Sequence, residues 1–234
     1  MTLEDLMIAL GTNIVDHGPR YAETVAGRFP VEPWATSTNL VFLFIIAYWL
    51  IRIIRSPARH RMLLAALPVL AIGWLGGTMY HATRSHDLWL LMDWMPILIL
   101  ALMAAFWLWH NVTGRTLFAL LAITVSLQAA MLVHLLPGLK HGYHIGLGYG
   151  MLALTILIPA GVHCALRWRA GWPWLVSALL AFVVAIAARQ LDHRLGELLL
   201  PMGSHFLWHI FGGVSVFCLM AYIFGAGERK TMAP

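Results

Sequence analysis

Two histidines stand four residues apart in the run GSHFLWHIFGG, residues 203–213. On a helix His205 and His209 lie one turn apart on the same face, so both imidazoles aim at the same neighbour. A third histidine, His81, closes the apolar run ending GGTMYHATR, and an aspartate, Asp93, stands early in the next run, LWLLMDWMPI. Three imidazoles with a carboxylate beside them match a catalytic zinc site, which takes neutral ring nitrogens at roughly 2.1 Å and keeps a fourth position for water. With His81, His205 and His209 as ligands, Asp93 would orient that water or accept its proton, which is the chemistry of a hydrolase. A lone H-x-x-x-H is a weak signal in a chain with twelve histidines. Interface histidines bonded to backbone or water, and an Asp93 settled at a helix N-terminus, are the bland alternative. What joins the four residues is depth, which is set by the elements that carry them.

Those elements belong to a membrane protein. The 234 residues are 61% hydrophobic and 11% charged, with a mean hydropathy of +0.79, a balance that excludes a soluble domain. The net charge of +5 comes largely from residues flanking apolar segments, where they anchor and orient helices, so nucleic acid is not an expected partner. Cys164 and Cys218 both lie in apolar segments, which leaves no disulfide framework and no thiolate metal cluster. The start, MTLEDLMIAL, is acidic where a signal peptide is basic. It reads as mature sequence, with a short interfacial helix from Thr2 capped by Asp5.

Seven apolar runs approach the roughly 20 residues needed to cross a bilayer: 36–54, 61–82, 88–109, 116–136, 145–168, 172–190 and 204–225. The expected fold class is all-α, an integral membrane bundle of seven transmembrane helices. Residues 1–35 form an extracytoplasmic or interfacial segment, 36–226 the helical domain and 227–234 a short cytoplasmic tail. One side carries Arg52, Arg55, Arg59, Arg61, Arg115, Arg167, Arg169, Arg229 and Lys230; the other carries Arg20, Arg28, Arg84, Lys140, Arg189 and Arg194. The larger set marks the cytoplasm, so the N-terminus is expected outside and the C-terminus inside. His81, Asp93, His205 and His209 then share a level near the outer face. Ionisable groups at membrane depth face the bundle interior and need partners there. His110 and His163 fall toward the inner side, while His86, His134, His141, His144 and His193 lie toward the outer. Tyr80 and Trp208 are placed to line a chamber beside the ligands.

At this point the chain resembles a family. GSHFLWHIFGG is similar to the last-helix motif of the alkaline ceramidases and their bacterial relatives, in the superfamily that includes the adiponectin and progestin receptors. ARQLDHRLGELLLPMGSHFLWH, with Arg189 and Asp192, resembles the passage from helix six to helix seven. GGTMYHATRSHDLWLLMDWMPI resembles the passage from helix two to helix three, and EPWATSTNLVFLF, with Glu32 and Asn39, the entry to helix one. The resemblance implies a seven-helix bundle with an intramembrane zinc on three histidines, hydrolysing the amide of ceramide or a related N-acyl lipid with a metal-activated water. It also implies a multi-pass protein of the bacterial inner membrane that draws its lipid substrate from the bilayer. Calcium is a second implied ion, with Glu23, Glu32 and Asp16 as candidate ligands.

The chain departs from the family pattern in places. Gly77 stands where a serine is usual, four residues before His81, which makes the adjacent Thr78 the candidate catalytic hydroxyl. The interval from His81 to Asp93 is one residue longer than usual; if the loop TRSHD does not absorb it, Asp87 or His86 takes the place of Asp93. Pro19 stands where an aspartate of the calcium pattern is expected. Two other classes remain open: a receptor or transporter with structural zinc, and a b-type haem protein using His81 with His205 or His110 with His163.

Overall fold

The computed structural model describes residues 14–134 and 141–230. Among these residues there is no strand. The helices are α1 (Pro33–Thr38), α2 (Leu40–Ile53), α3 (Arg61–Thr83), α4 (Asp87–Thr113), α5 (Thr116–His134), α6 (His141–Arg167), α7 (Trp172–Gln190), α8 (Asp192–Leu198) and α9 (His205–Lys230), with a 3-10 turn at Arg169–Gly171 before α7. The expected helix from Thr2 lies outside the described residues.

Among the described residues six segments are long and apolar enough to cross a membrane: Pro33–Ile53, Arg61–Thr83, Asp87–Thr113, Gly146–Arg167, Arg169–Gln190 and His205–Arg229. Thr116–Leu132 is apolar but shorter. The chain is a multi-pass, all-helical membrane protein. The first span starts at Pro33, earlier than the expected 36, because proline's fixed φ suits the first helical position, where its missing N–H costs nothing. It is one span made of α1 and α2, continuous through the helical backbone of Asn39. The last span outruns its expected end, since α9 continues to Lys230.

The outer surface is apolar, unlike that of a water-soluble bundle. Phe44 is 71% exposed and Leu117 69%, residues that bilayer hydrocarbon would cover. Inside, small residues let the helices approach. Ala178, Ala181, Ala185 and Ala188 share the buried face of α7, which packs along α9, and the Ser215 hydroxyl donates to the Ala178 carbonyl across that contact at 2.9 Å. α3 and α4 meet as closely at Gly76, where an added Cβ would stand 2.5 Å from the Met92 carbonyl carbon.

The apolar core gathers at one end of the bundle, where Ile45, Trp49 and Ile53 meet Leu63, Leu67, Leu108, Tyr222 and Ile223. The polar end is closed by residues 14–32, which cross it as a strap. Val15 donates to the Arg84 carbonyl, Val31 to Ala82 and Glu32 to His81, so the strap is stitched to the last turn of α3 by backbone bonds. A three-residue link, Arg84 to His86, then joins α3 to α4.

Candidate metal centre

His81 lies in the last turn of α3, and His205 and His209 lie in the first two turns of α9. Local structure fixes both ends. Asp192, the first residue of α8, accepts the backbone N–H groups of Ser204 and His205 at 2.7 and 2.8 Å, thereby capping α9 from a neighbouring element. Gly203 supplies the φ of +72° that this turn needs. The other Asp192 oxygen accepts from Ala22 of the strap at 2.7 Å, so one carboxylate ties the strap to the start of the histidine helix.

The three imidazoles are brought together and buried, with exposures of 1%, 2% and 3% for His81, His205 and His209. One ligand nitrogen of each lies within 4.8 Å of the others. His81 Nδ1 bonds Glu32 at 2.5 Å and His209 Nδ1 the Ala35 carbonyl at 3.0 Å. Because a carbonyl only accepts, the proton of His209 sits on Nδ1 and the Nε2 lone pair is left for the shared space; the carboxylate imposes the same tautomer on His81. His81 Nε2 and both nitrogens of His205 are buried without a hydrogen-bond partner. Orphaned buried nitrogens are costly, and one from His81 and one from His205, beside the Nε2 that His209 leaves free, fit a metal. Tetrahedral zinc at roughly 2.1 Å would set its nitrogens about 3.4 Å apart, which a small inward movement of the rings achieves.

Around the three histidines lies a shell whose contacts no local stretch of sequence specifies. Glu32, a calcium candidate by resemblance, is fully buried and holds His81, as outer partners of metal-bound histidines commonly do. Burial alone would raise its carboxyl, but the His81 bond, the charge of Arg84 and the Thr24 hydroxyl hold it below the usual range. Arg84 is also fully buried, with its guanidinium on Glu32 at 2.5 Å and on both oxygens of Asp16 at 2.7 and 2.8 Å. Glu23 serves α1, accepting from Trp34 and Ala35 at 2.7 and 2.8 Å, and burial raises its carboxyl. Asp16, Glu23 and Glu32 are thus engaged separately, with Arg84 supplying the positive charge between Asp16 and Glu32.

Asp93 faces the site. It lines a cavity of about 200 Å³ with Asn39, Trp208 and His209 at its head and Met62, Leu63 and Ile223 at its foot. Asp87 instead pairs with exposed His17 at 2.8 Å, and His86 caps α4 by accepting from Leu88. The extra residue between His81 and Asp93 is therefore absorbed before the helix begins.

At Gly77 the structure explains the departure. An added Cβ would collide with Asp93 Oδ1 and stand 2.6 Å from Asn39 Nδ2, so the carboxylate and the amide occupy the room a side chain would need. Thr78 is turned elsewhere: its hydroxyl donates to the Trp74 carbonyl at 2.7 Å and accepts from Asn39 at 3.2 Å. Trp208 lines the cavity. Tyr80 does not; it lies fully buried on the strap side of His81, beneath the Arg84 guanidinium. Tyr21 of the strap, which stands with Glu23 and Glu32 in the stretch that resembles the calcium pattern, stacks on His205 with ring centres 3.4 Å apart, and its burial pushes the phenol upward.

No protein-family model and no curated protein matches the chain.

Proposed function

We propose that this chain is a zinc-dependent amide hydrolase of the membrane interior, acting on ceramide or a related N-acyl lipid. The single observation that carries the reading is the convergence of three buried imidazoles, two with their tautomers set from behind, beside a carboxylate at the head of an apolar cavity. His81, His205 and His209 would hold the metal. When bound, zinc supplies Lewis acidity toward the amide carbonyl and lowers the pKa of a water to about 7.

The chain's own residues do the rest. The cavity takes the acyl chain: it follows α9 from His209 to Ile223, fourteen residues, or roughly 21 Å at 1.5 Å per residue. Asp93 takes the proton that the attacking water releases and returns it to the amine nitrogen as the carbon–nitrogen bond breaks. Tyr21 and the strap close the polar end against bulk water, which strengthens every charge interaction within. The same reading includes a seven-helix bundle, with Thr116–His134 as the remaining crossing, N-terminus outside and C-terminus in the cytoplasm, in a bacterial inner membrane.

Asp93→Asn tests the chemistry: zinc content stays at the wild-type level while release of fatty acid from a panel of N-acyl lipids falls by about 10² to 10⁴. An unchanged rate removes Asp93 from the mechanism, and zinc unchanged in His205→Ala and His209→Ala removes the metal site. Zinc without turnover of any N-acyl lipid would leave a receptor or transporter with a structural ion. A haem between His81 and His205 is opposed by His209, whose ring centre lies 4.8 and 5.0 Å from theirs, where the porphyrin would have to pass; a Soret band in purified protein would restore it.

A further inference from the structure

Two arginines of the polar end lie close to the metal ligands, and their surroundings differ. Arg84 is matched by the carboxylates of Asp16 and Glu32. Arg189, in the last turn of α7, has no ion pair among the described residues. Its guanidinium carbon instead lies 5.5 Å from the centre of the Tyr149 ring and 5.9 Å from that of Trp208. Arg189 is half-buried at the end of its span, and with aromatic faces beside it and no carboxylate of its own, its guanidinium is available to an anion.

Its position states what it would meet. Tyr149 and Trp208 belong to the wall of the cavity at the end that holds Asp93 and His209. With the acyl chain along the cavity and the amide at the histidines, the part of the substrate beyond the amide nitrogen lies at this end, under Arg189 and Tyr21. We propose that Arg189 binds a carboxylate carried on the amine side of the substrate, so that among related N-acyl lipids the preferred class is N-acyl amino acids, ahead of neutral N-acyl amino alcohols such as ceramide. The inference rests on the amide-hydrolase reading for the direction of the substrate. A planar guanidinium receives one carboxylate in two parallel hydrogen bonds, and the aromatic faces on its flanks fix the plane. The reaction stays balanced: water adds its oxygen to the acyl carbon, the carbon–nitrogen bond breaks, and the nitrogen takes the proton, giving a fatty acid and a free amino acid.

The test is equilibrium binding of two radiolabelled probes with the same chain, N-oleoylglycine and N-oleoylethanolamine, to the full protein in non-ionic micelles, with and without zinc, alongside hydrolysis of each. The wild type should bind N-oleoylglycine about 10- to 100-fold more tightly, the span expected of a charge-assisted pair. The preference should persist after zinc is stripped, collapse in Arg189→Met and return in part in Arg189→Lys. Equal binding of the two probes by the wild type overturns the proposal, and this needs no variant to fold. A preference that vanishes with chelation, or survives Arg189→Met, also overturns it by assigning the carboxylate to the metal. An equal loss of both probes in Arg189→Met would show a role through Asp93 or packing and has the same consequence. A preference without hydrolysis of either probe sinks the hydrolase and leaves the anion site standing; hydrolysis of both without preference does the reverse.

Discussion

Glu32 illustrates how one side chain is committed by its neighbours. Its two oxygens divide between His81 on one side and Arg84 with Thr24 on the other, so it orients the imidazole while its own charge is neutralised. In Glu32→Gln the amide is a weaker acceptor and leaves Arg84 short of a carboxylate. Zinc affinity, measured by competition with a chelator, should fall about 10- to 100-fold, the usual cost of losing a metal ligand's outer partner. Gly77 is the complementary case, where the missing side chain matters. Gly77→Ala pushes Asp93 Oδ1 and Asn39 Nδ2 aside. Both are flexible ends, so thermal stability should change little and zinc should stay. Hydrolysis should drop by about 10²-fold, because an ångström of misplacement is enough to spoil a proton transfer; an unaltered rate would show that Asp93 tolerates the shift.

At the scale of elements, the site is an agreement between the end of α3 and the start of α9, enforced by Asp192 and the strap. Asp192→Ala removes the acceptor for three backbone N–H groups, on Ala22, Ser204 and His205. The loss should cost roughly 1–2 kcal/mol of stability as a missing helix cap. It should also loosen zinc, because His205 is the first residue of the uncapped helix; melting temperature and zinc affinity falling together is the expected result. Arg84 belongs to this scale too. It ends α3 in the left-handed region at φ 49°, a position that costs a non-glycine residue about 1–2 kcal/mol, and the grip of Asp16 and Glu32 on its guanidinium accounts for an arginine there.

Across the whole molecule, the cavity connects the polar end to the apolar core and sets what length of chain fits. Gly212 lines it one turn beyond His209, and an added Cβ there meets nothing within 4 Å. Gly212→Leu should therefore fold and hold zinc, yet fill the passage just below the ligands. The expected outcome is a shift toward short acyl chains, with long-chain substrates lost; an unchanged chain-length profile would place the acyl group elsewhere.

The sequence by itself determined the class of molecule, since so few charges among so many apolar residues leave a bilayer as the only solvent for this chain. It also determined that His205 and His209 share a helix face, because that follows from the period of the helix alone. Tertiary structure decided the rest of the site. Only contacts across 49 residues show that Glu32 holds His81, and only the fold turns the carboxylates read as calcium ligands toward Arg84 and a helix cap. The room at Gly77 is defined by Asp93 from another helix, and Arg189 gains meaning from Tyr149 and Trp208 on two others. Periodicity fixes neighbours along one helix; which side chains complete a charge or an empty space is settled by packing between helices, and no single segment carries that information.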